Sequence, residues 1–348
     1  MERILILKLG SIGDIVHTLP AVAALRRRYP QARLDWVVET RAKTILENCP
    51  VVDALIEIDT RRWRRRPFAY TTIHECTDLM RGLRRARYDV AIDFQGLMKS
   101  ATLAFISGAE VRVGFAGTHL REAAAQFLYT QKVTPGPAQH THIITQNNAL
   151  VQSLGVPVEE WTFPIAVTAE DEAYVEGQLQ KLGVTRYAII NPGGGWVNKL
   201  WPAERYGQLA SRLWTDCGLK TVVTAGPAEG ELVYRVLRQA PSQSTVFLPT
   251  TIKQLVPLAK RASFFIGGDT GPLHIAAAVG TPIIGLYGPT LPARNGPFGV
   301  SDKVICRTEL TCLGCYKRTC PLGTTACMDI EVDAVMAIIV NQAARLKP

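Results

Sequence analysis

The sequence predicts an α/β fold made of two halves, each a parallel sheet with helices on both faces. Short apolar runs typical of buried strands alternate with helical patterns along the chain. This alternation restarts after residues 155–170, a stretch that carries Pro157 and Pro164 and little periodicity. At 348 residues the chain is also long for one hydrophobic core. We therefore expect domains over residues 1–165 and 166–330 and a C-terminal helix within residues 331–348.

The first half begins with an apolar run at residues 3–8 that reads as a strand. A helical pattern follows over residues 15–28 and stops at Tyr29-Pro30, because proline cannot continue a helix. The next strand candidates, separated by helical patterns, are residues 34–38, 54–58 and 90–93.

The second half repeats this organisation, although its sequence does not visibly repeat the first. Its strand candidates are residues 187–190, 220–224, 245–248, 263–266 and 282–288. An amphipathic helix is predicted over residues 332–346. Polar loops follow several of these strands, and open α/β sheets bind ligands at the carboxyl ends of their strands.

Composition limits the classes of partner. The formal net charge of +9 favours an acidic partner, which can be nucleic acid, an anionic membrane surface or a phosphorylated substrate. The densest charge is the Arg-Arg-Trp-Arg-Arg-Arg run at residues 61–66, but no aromatic-interleaved sheet or helix-turn-helix pattern accompanies it. We therefore do not expect nucleic acid as a partner. The arginine run can instead be a phosphate-binding loop or a charged run that faces solvent.

The same reading bears on location. The sequence contains no run of eighteen apolar residues, so we expect no transmembrane helix. Only four apolar residues separate Arg3 from Lys8, which is too few for a secretory signal. We expect a cytoplasmic protein, whose eight cysteines are then free thiols or metal ligands rather than disulfides.

The most informative motif is Gly-Asp-Thr-Gly-Pro-Leu-His at residues 268–274, between a predicted strand and a predicted helix. Pro272 suits the first helical position, where its missing N–H costs nothing. The backbone N–H groups around Thr270 and Gly271 would then form an anion site suited to phosphate. Asp269 and His274 add a carboxylate and an imidazole, so the motif suggests a nucleotide or nucleotide-sugar site; an ordinary capped turn is the alternative.

The first polar loop, Gly-Ser-Ile-Gly-Asp at residues 10–14, is neither a dinucleotide fingerprint nor a P-loop. Its glycines, including Gly13, permit close approach of a ligand to the backbone. Asp14 lies at the start of the first helix, where it can cap the helix or act as a general base. A helix N-terminus favours the ionised carboxylate, and the residues alone leave both roles open.

Two further features carry candidate chemistry. Lys199 follows a glycine-rich turn at residues 193–195, where its ammonium group can neutralise a leaving diphosphate or simply face solvent. The second feature is a cysteine cluster with one C-x-x-C pair, which suits a structural zinc ion only in part because zinc sites usually carry two such pairs. Free or redox-active thiols are the alternative; the cluster comprises Cys306, Cys312, Cys315, Cys320 and Cys327.

These motifs together resemble the lipopolysaccharide heptosyltransferase family (glycosyltransferase family 9) over nearly the whole chain. The matching motifs occur in the family's order, at residues 10–14, 17–20, 269–274 and 287–290. Within the family the chain is most similar to heptosyltransferase I, on the segments at residues 35–39, 61–64, 93–100 and 199–202.

The resemblance implies two Rossmann-like domains facing across a cleft (the GT-B arrangement), with the acceptor on the N-terminal domain and the nucleotide sugar on the C-terminal one. It implies an inverting transfer of heptose from ADP-L-glycero-D-manno-heptose to the 3-deoxy-octulosonate of lipid A, without a metal or other cofactor. The acceptor implies peripheral contact with the cytoplasmic face of the inner membrane.

The resemblance also assigns roles to residues. Asp14 matches the family's catalytic base and Lys199 matches the residue that contacts the donor phosphates. The other donor-binding positions are Gly13, Glu229, Asp269, Thr270, Gly271 and His274. The positions that align with residues near the acceptor are Arg61, Arg64, Arg121 and His140.

The chain departs from the heptosyltransferase I pattern in two places. The cysteine cluster from Cys312 to Cys327 is absent from that pattern and resembles the one in heptosyltransferase II and other relatives. The Gly-Gly-Gly loop stands where heptosyltransferase I has a loop with a hydroxyl-bearing residue. The alternative functions are therefore heptosyltransferase II or a transferase using another nucleotide sugar. A nucleotide-sugar-binding or metal-binding module without turnover is a further alternative.

Overall fold

The computed structural model describes residues 1–299 and 302–345. The chain divides into two compact units, Met1–Ala166 and Val167–Pro348, here called unit 1 and unit 2. Each unit contains one six-stranded sheet whose strand pairs are all parallel.

Unit 1 alternates strands with helices. Its strands are Arg3–Leu7 (β1), Arg33–Glu39 (β2), Ala54–Ile58 (β3), Val90–Asp93 (β4), Val111–Phe115 (β5) and Gln131–Val133 (β6). Its helices are Ile12–Val16 (α1), Leu19–Arg28 (α2), Thr60–Arg65 (α3), Tyr70–Ala86 (α4), Met98–Ser107 (α5) and Ile143–Gln152 (α6). The strand order is β3-β2-β1-β4-β5-β6.

Unit 2 has the same alternation. Its strands are Tyr187–Asn191 (β7), Lys220–Val223 (β8), Thr245–Phe247 (β9), Phe264–Gly268 (β10), Ile283–Tyr287 (β11) and Lys303–Cys306 (β12). Its helices are Ala169–Lys181 (α7), Ala203–Cys217 (α8), Gly230–Gln239 (α9), Ile252–Lys260 (α10), Gly271–Ala278 (α11), Pro292–Asn295 (α12) and Val332–Arg345 (α13). The strand order is β9-β8-β7-β10-β11-β12.

The two sheets therefore share one topology, in which the strand order reverses between the first and fourth strands of each unit. Such a reversal is the switch point at which open α/β sheets bind ligands. In unit 1 the loops after β1 and β4 meet there, and in unit 2 the loops after β7 and β10 do so. The predicted α/β fold with two parallel sheets is confirmed.

Buried apolar side chains explain why the short central strands form. Ile4, Leu5, Ile6 and Leu7 of β1 are fully buried, as a strand covered by helices on both faces requires. The central strands β7, β10 and β11 of unit 2 are buried throughout. Each fully buried Leu or Ile contributes about 1.5–3 kcal/mol to stability through removal of its surface from water.

The structure corrects several predicted elements. The single helix over residues 15–28 is two helices, α1 and α2, because Pro20 lacks an N–H and lies in the first turn of α2. Pro272 occupies the second position of α11, after Gly271. Strand β10 runs two residues beyond Ile266.

Strands β5, β6 and β12 were not predicted. Their sequences contain three to five residues and include Arg112, Gly114, Lys132 or Lys303, so no continuous apolar run marks them. The predicted C-terminal helix is present as α13, and residues 346–348 of that prediction lie outside the described part. No helix within residues 1–299 and 302–345 has the length and apolarity needed to cross a membrane.

Candidate functional site

A buried charged triad lies where β10 ends and α11 begins in unit 2. The Asp269 carboxylate binds the Lys199 ammonium group through Oδ2, at 2.7 Å, and His274 Nε2 through Oδ1, at 2.9 Å. Asp269 and His274 are buried, and the Lys199 side chain is 13% exposed. Three residues that the sequence predicts as donor-binding are thus in direct contact.

The charge of Asp269 follows from this geometry. Burial alone would raise the pKa of its carboxyl group, but the hydrogen bond with His274 and the charges of His274 and Lys199 hold that pKa well below its ordinary value of 3.8. Asp269 is therefore ionised at neutral pH. Lys199 reaches it because Gly268 has no side chain, and a Cβ there would lie 2.9 Å from the Lys199 carbonyl oxygen.

Helix α11 begins where the sequence predicts an anion site. Thr270 is the extended N-cap residue, and Gly271 begins the helix. The Thr270 hydroxyl oxygen is buried and has no hydrogen-bond partner in the described part of the chain. A buried hydroxyl without a partner costs about 1–3 kcal/mol, so this atom favours a ligand that can accept from it or donate to it.

The glycine-rich loop after β7 contacts Glu229. Gly194 N–H donates to Glu229 Oε1 at 2.9 Å, and Gly226 N–H donates to Oε2 at 2.6 Å. A Cβ on Gly193 would overlap the Glu229 carboxylate, so a larger residue there requires the Glu229 side chain to move. Two backbone donors fix this carboxylate, while each oxygen retains a lone pair that can accept from a hydroxyl group.

Two residues near Lys199 were not predicted from the sequence. Lys199 Nζ lies 4.4 Å from the centre of the Trp196 ring, and the guanidinium carbon of Arg318 lies 5.7 Å from the same centre. Both are within the range of a cation–π contact. The signals that could have identified them are the aromatic residue directly after the glycine loop and the Lys317-Arg318 pair between cysteines.

In unit 1, Asp14 is the third residue of α1 and is 18% exposed. Its Oδ2 accepts from the Ser11 N–H at 2.9 Å and from the Ser11 hydroxyl at 3.3 Å. Asp14 therefore caps α1, which is one of the two roles that the sequence leaves open for it, the other being a general base. The Arg121 guanidinium group lies 3.9 Å from the same oxygen, so a predicted base and a predicted acceptor residue are close. Gly13 is buried in the same turn.

Asp93, a buried carboxylate at the end of β4, orders a loop that contacts both the backbone of Arg121 and the chain just before Asp14. Asp93 accepts from the Tyr129 hydroxyl at 2.6 Å and from the N–H groups of Gln95 and Gly96. Burial raises the pKa of Asp93 although these donors oppose the shift. The ordered loop in turn accepts the Arg121 N–H at Gly96 O, and Gln95 Oε1 accepts the N–H of Leu9.

Arg61, one of the two predicted acceptor arginines on α3, lines a separate cavity of about 780 Å³. Glu39 at its wall is buried and accepts from the Lys99 ammonium group at 3.1 Å and from the Thr60 hydroxyl. The lining residues are Glu39, Thr40, Arg41, Asp59, Arg61, Arg62, Arg65, Arg66, Thr71 and Thr72. Four arginines of α3 and its C-terminal end thus surround a space large enough for a charged headgroup.

Two predicted acceptor residues are not brought into these contacts. Arg64 is exposed on α3 and is not among the lining residues of the cavity. His140 is exposed in a turn, where its backbone N–H donates to Pro137 O at 3.1 Å. Their assignment remains a prediction.

All eight cysteines are free thiols. The described residues contain no group of three or more His, Cys, Asp or Glu side chains arranged to hold a metal ion. Backbone N–H groups of Leu322, Thr324 and Gly323 lower the pKa of Cys320, whereas burial, followed by the charges of Cys315, Cys312 and Cys320, raises the pKa of Cys327. Within the described residues the cluster consists of free thiols.

Comparison with known proteins supports the resemblance. The sequence profile of glycosyltransferase family 9 (heptosyltransferase) matches residues 76–326. Lipopolysaccharide heptosyltransferase 1 of Pseudomonas aeruginosa is 29% identical over 324 residues, which cover 93% of this chain and 88% of that protein.

Solved structures share the fold. The Escherichia coli heptosyltransferase WaaC with ADP-2-deoxy-2-fluoro heptose has a TM-score of 0.75 and 27% identity, covering 97% of this chain and 99% of that one. The E. coli ADP-heptose lps heptosyltransferase II has a TM-score of 0.76 and covers 99% of both chains, and at 21% identity this likeness concerns the fold.

Proposed function

The chain belongs to glycosyltransferase family 9, the heptosyltransferase family, and from this premise we propose that it transfers heptose from ADP-L-glycero-D-manno-heptose to the 3-deoxy-octulosonate of lipid A with inversion. The chain is a glycosyltransferase. The observation that carries the finer proposal is the contact of Lys199, Asp269 and His274 beside the helix terminus at Thr270. Support for the donor comes from WaaC, whose structure holds an ADP-heptose analogue.

In the proposed reaction unit 2 binds the donor. The diphosphate lies at the N-terminus of α11, where the Gly271 N–H and the Thr270 hydroxyl donate to its oxygens. Lys199 adds a positive charge, and Glu229 accepts from hydroxyl groups of the ribose. His274 holds the Asp269 carboxylate in place, so the position of Lys199 is fixed before the donor binds.

Unit 1 binds the acceptor and carries the base. Asp14 takes the proton of the acceptor hydroxyl as that oxygen attacks the anomeric carbon from the face opposite the diphosphate. The bond between the anomeric carbon and the diphosphate oxygen breaks, and its electron pair leaves with ADP. Lys199 and the α11 dipole stabilise the negative charge that develops on the leaving group. Arg121, Arg61, Arg64 and His140 are the proposed contacts to anionic groups of the acceptor.

We also propose that the chain contacts the cytoplasmic face of the inner membrane through residues 61–70, the basic segment. Its arginines at positions 61, 64, 65 and 66 form no ion pair within the described residues, and Phe68 and Tyr70 are 91% and 79% exposed. Anionic lipid headgroups attract basic residues, and aromatic rings settle at the membrane interface. This contact would bring the cavity lined by α3 close to a lipid-linked acceptor.

Mass spectrometry of the product tests the proposal. The purified protein is mixed with ADP-heptose and lipid A that carries only 3-deoxy-octulosonate, and we expect the acceptor to gain one heptose while ADP is released. Other nucleotide sugars serve as donor controls. Absence of transfer from ADP-heptose to this acceptor would overturn the assignment.

The same assay decides the main alternative. The cysteine cluster favours the heptosyltransferase II function, in which the acceptor already carries a heptose. Transfer only to the heptosylated acceptor would establish that alternative, and donor binding without any product would support a non-catalytic module.

A further inference from the structure

The cysteine-rich segment, residues 312–327, is held against the proposed donor site. Gly314 N–H donates to Gly288 O at 3.0 Å, and Tyr316 N–H donates to Pro289 O at 2.8 Å, which ties the segment to the loop after β11. The Leu291 N–H donates to the Tyr316 hydroxyl at 3.3 Å. The segment therefore has a fixed position beside unit 2's site rather than a free path through solvent.

A second set of contacts joins the segment to the turn that carries Lys199. Asn198 is buried, and its side-chain amide donates to Lys317 O at 2.5 Å. Because Asn198 precedes Lys199, the backbone at Lys317 is anchored next to the proposed diphosphate contact. Arg318 follows directly, and its guanidinium carbon lies 5.7 Å from the Trp196 ring that Lys199 also approaches.

The positive charge around Lys199 is too small to balance a diphosphate, and Arg318 can supply the remainder. The Lys199 ammonium group lies 2.7 Å from the ionised Asp269 carboxylate, so much of its charge is already balanced. The diphosphate of a nucleotide sugar brings two negative charges, and the α11 dipole supplies only about half a positive charge. Arg318 is exposed and has neither a hydrogen bond nor an ion pair within residues 1–299 and 302–345.

We propose that Arg318 is the second cation that binds the donor diphosphate, and that the cysteine-rich segment positions it there. The inference rests on the proposed function of this site. The planar guanidinium group presents paired N–H donors that can bind two phosphate oxygens in a bidentate arrangement, whereas a lysine ammonium group acts as a compact point charge. Trp196 holds the guanidinium group near its target before the donor binds, which lowers the entropy cost of binding.

Two alanine variants of neighbouring residues test the proposal. Arg318→Ala is expected to raise the Kd for ADP by about tenfold and to lower kcat/KM for ADP-heptose by about 10²-fold, as loss of one charged donor to the transition state does. Lys317→Ala removes the same charge one residue away but keeps the carbonyl that Asn198 binds, and we expect changes of less than about twofold. Arg318→Lys should recover part of the lost ADP affinity, since it retains charge but not the bidentate geometry.

Adenosine separates a phosphate contact from a general disturbance of the site. Because adenosine has no phosphate, its Kd should be equal in the wild-type protein and in Arg318→Ala. A Kd for ADP unchanged by Arg318→Ala, equal losses in both alanine variants, or a parallel loss of adenosine affinity would each overturn the proposal. The proposed function fails separately, if the wild-type protein makes no product from ADP-heptose.

Discussion

Asp14 combines two roles that depend on different properties of one carboxylate. As a helix cap it needs only an acceptor oxygen, whereas as a base it needs a group that can take a proton. Asp14→Asn keeps the acceptor for the Ser11 N–H and removes the basicity. We expect turnover to fall by about 10²–10⁴-fold with little change in Tm and an unchanged Kd for ADP. Turnover near the wild-type value would leave Asp14 as a cap alone.

Gly193 is predicted to tolerate alanine poorly because its missing side chain leaves room for the Glu229 carboxylate. In Gly193→Ala the new methyl group would overlap the Glu229 carboxylate, which must then leave its two backbone donors. We expect a loss of about 1–3 kcal/mol in the free energy of unfolding and a raised KM for the donor.

The matched control is Gly195→Ala, in the same loop. A Cβ on Gly195 meets no atom within 4 Å, and the variant should behave like the wild-type protein in both measurements. If the two variants behave alike, the overlap with Glu229 is not the cause.

The triad around Asp269 predicts a definite dependence of stability on pH. Because the pKa of Asp269 is lower in the folded protein than its ordinary value of 3.8, its ion pair stabilises the fold above that pH and loses this effect as the pH falls further. Asp269→Asn leaves Lys199 without its partner, which costs about 3–5 kcal/mol for a buried pair.

The difference in Tm between the wild-type protein and Asp269→Asn should therefore be largest near neutral pH and shrink below about pH 4. Calorimetric scans over this range measure it. A difference that stays constant down to acidic pH would show that Asp269 acts through its shape rather than its charge.

At the scale of elements, the sequence was most informative where a loop both ends a strand and begins a helix. The apolar run at residues 263–266 and the motif at residues 268–274 together predicted β10, the turn and α11, because apolar residues mark the strand and Pro272 marks the first turn of the helix. The motif also predicted the polar cluster at Asp269 and His274. Lys199, by contrast, joins that cluster from 70 positions earlier in the chain, so only the fold or a family resemblance could place it there.

Arg318 shows why other parts of the site could not be predicted. The cysteine-rich segment has no helical or strand periodicity, and its path is set by hydrogen bonds to Gly288, Pro289 and Asn198. No local pattern in the sequence encodes those partners. In the same way, the need for glycine at position 193 depends on Glu229, which is distant in sequence.

The basic segment is predicted to act as a membrane contact through its two exposed rings. Phe68→Ala combined with Tyr70→Ala should reduce flotation of the protein with vesicles of phosphatidylglycerol and phosphatidylcholine, since both rings lose their place at the interface. Binding of the wild-type protein should weaken as salt rises and should be slight on pure phosphatidylcholine.

Phe127→Ala provides the control for this measurement, because Phe127 is 78% exposed in unit 1 but lies outside the basic segment. We expect this variant to float like the wild-type protein. Equal losses in both variants, or binding that ignores lipid charge, would contradict the membrane contact.

At the scale of the whole molecule, each unit has its own parallel sheet and its own buried core. The restart of the strand–helix alternation in the sequence is the reason that two parallel sheets could be predicted. The lateral order of the strands could not be read in this way, since the outer strands β5, β6 and β12 carry charges and glycine in place of an apolar run.

The proposal that unit 2 binds the donor and unit 1 the acceptor predicts which segments bound ADP protects from exchange. Hydrogen–deuterium exchange should slow on addition of ADP at the loop after β7 and at the first turn of α11, because bound phosphate oxygens protect the N–H groups that point at them. The strands of unit 1 should exchange as before. Protection found only in unit 1 would contradict a donor site in unit 2.

The shared strand order of the two sheets has a consequence for engineering. Each unit has its own switch point, and the polypeptide passes from one unit to the other once, between Ala166 and Val167. A chimaera joined at that peptide bond exchanges one whole sheet with its loops and cuts no strand pairing. Grafting the second half of a relative that uses another nucleotide sugar should accordingly redirect which sugar is delivered while preserving the recipient.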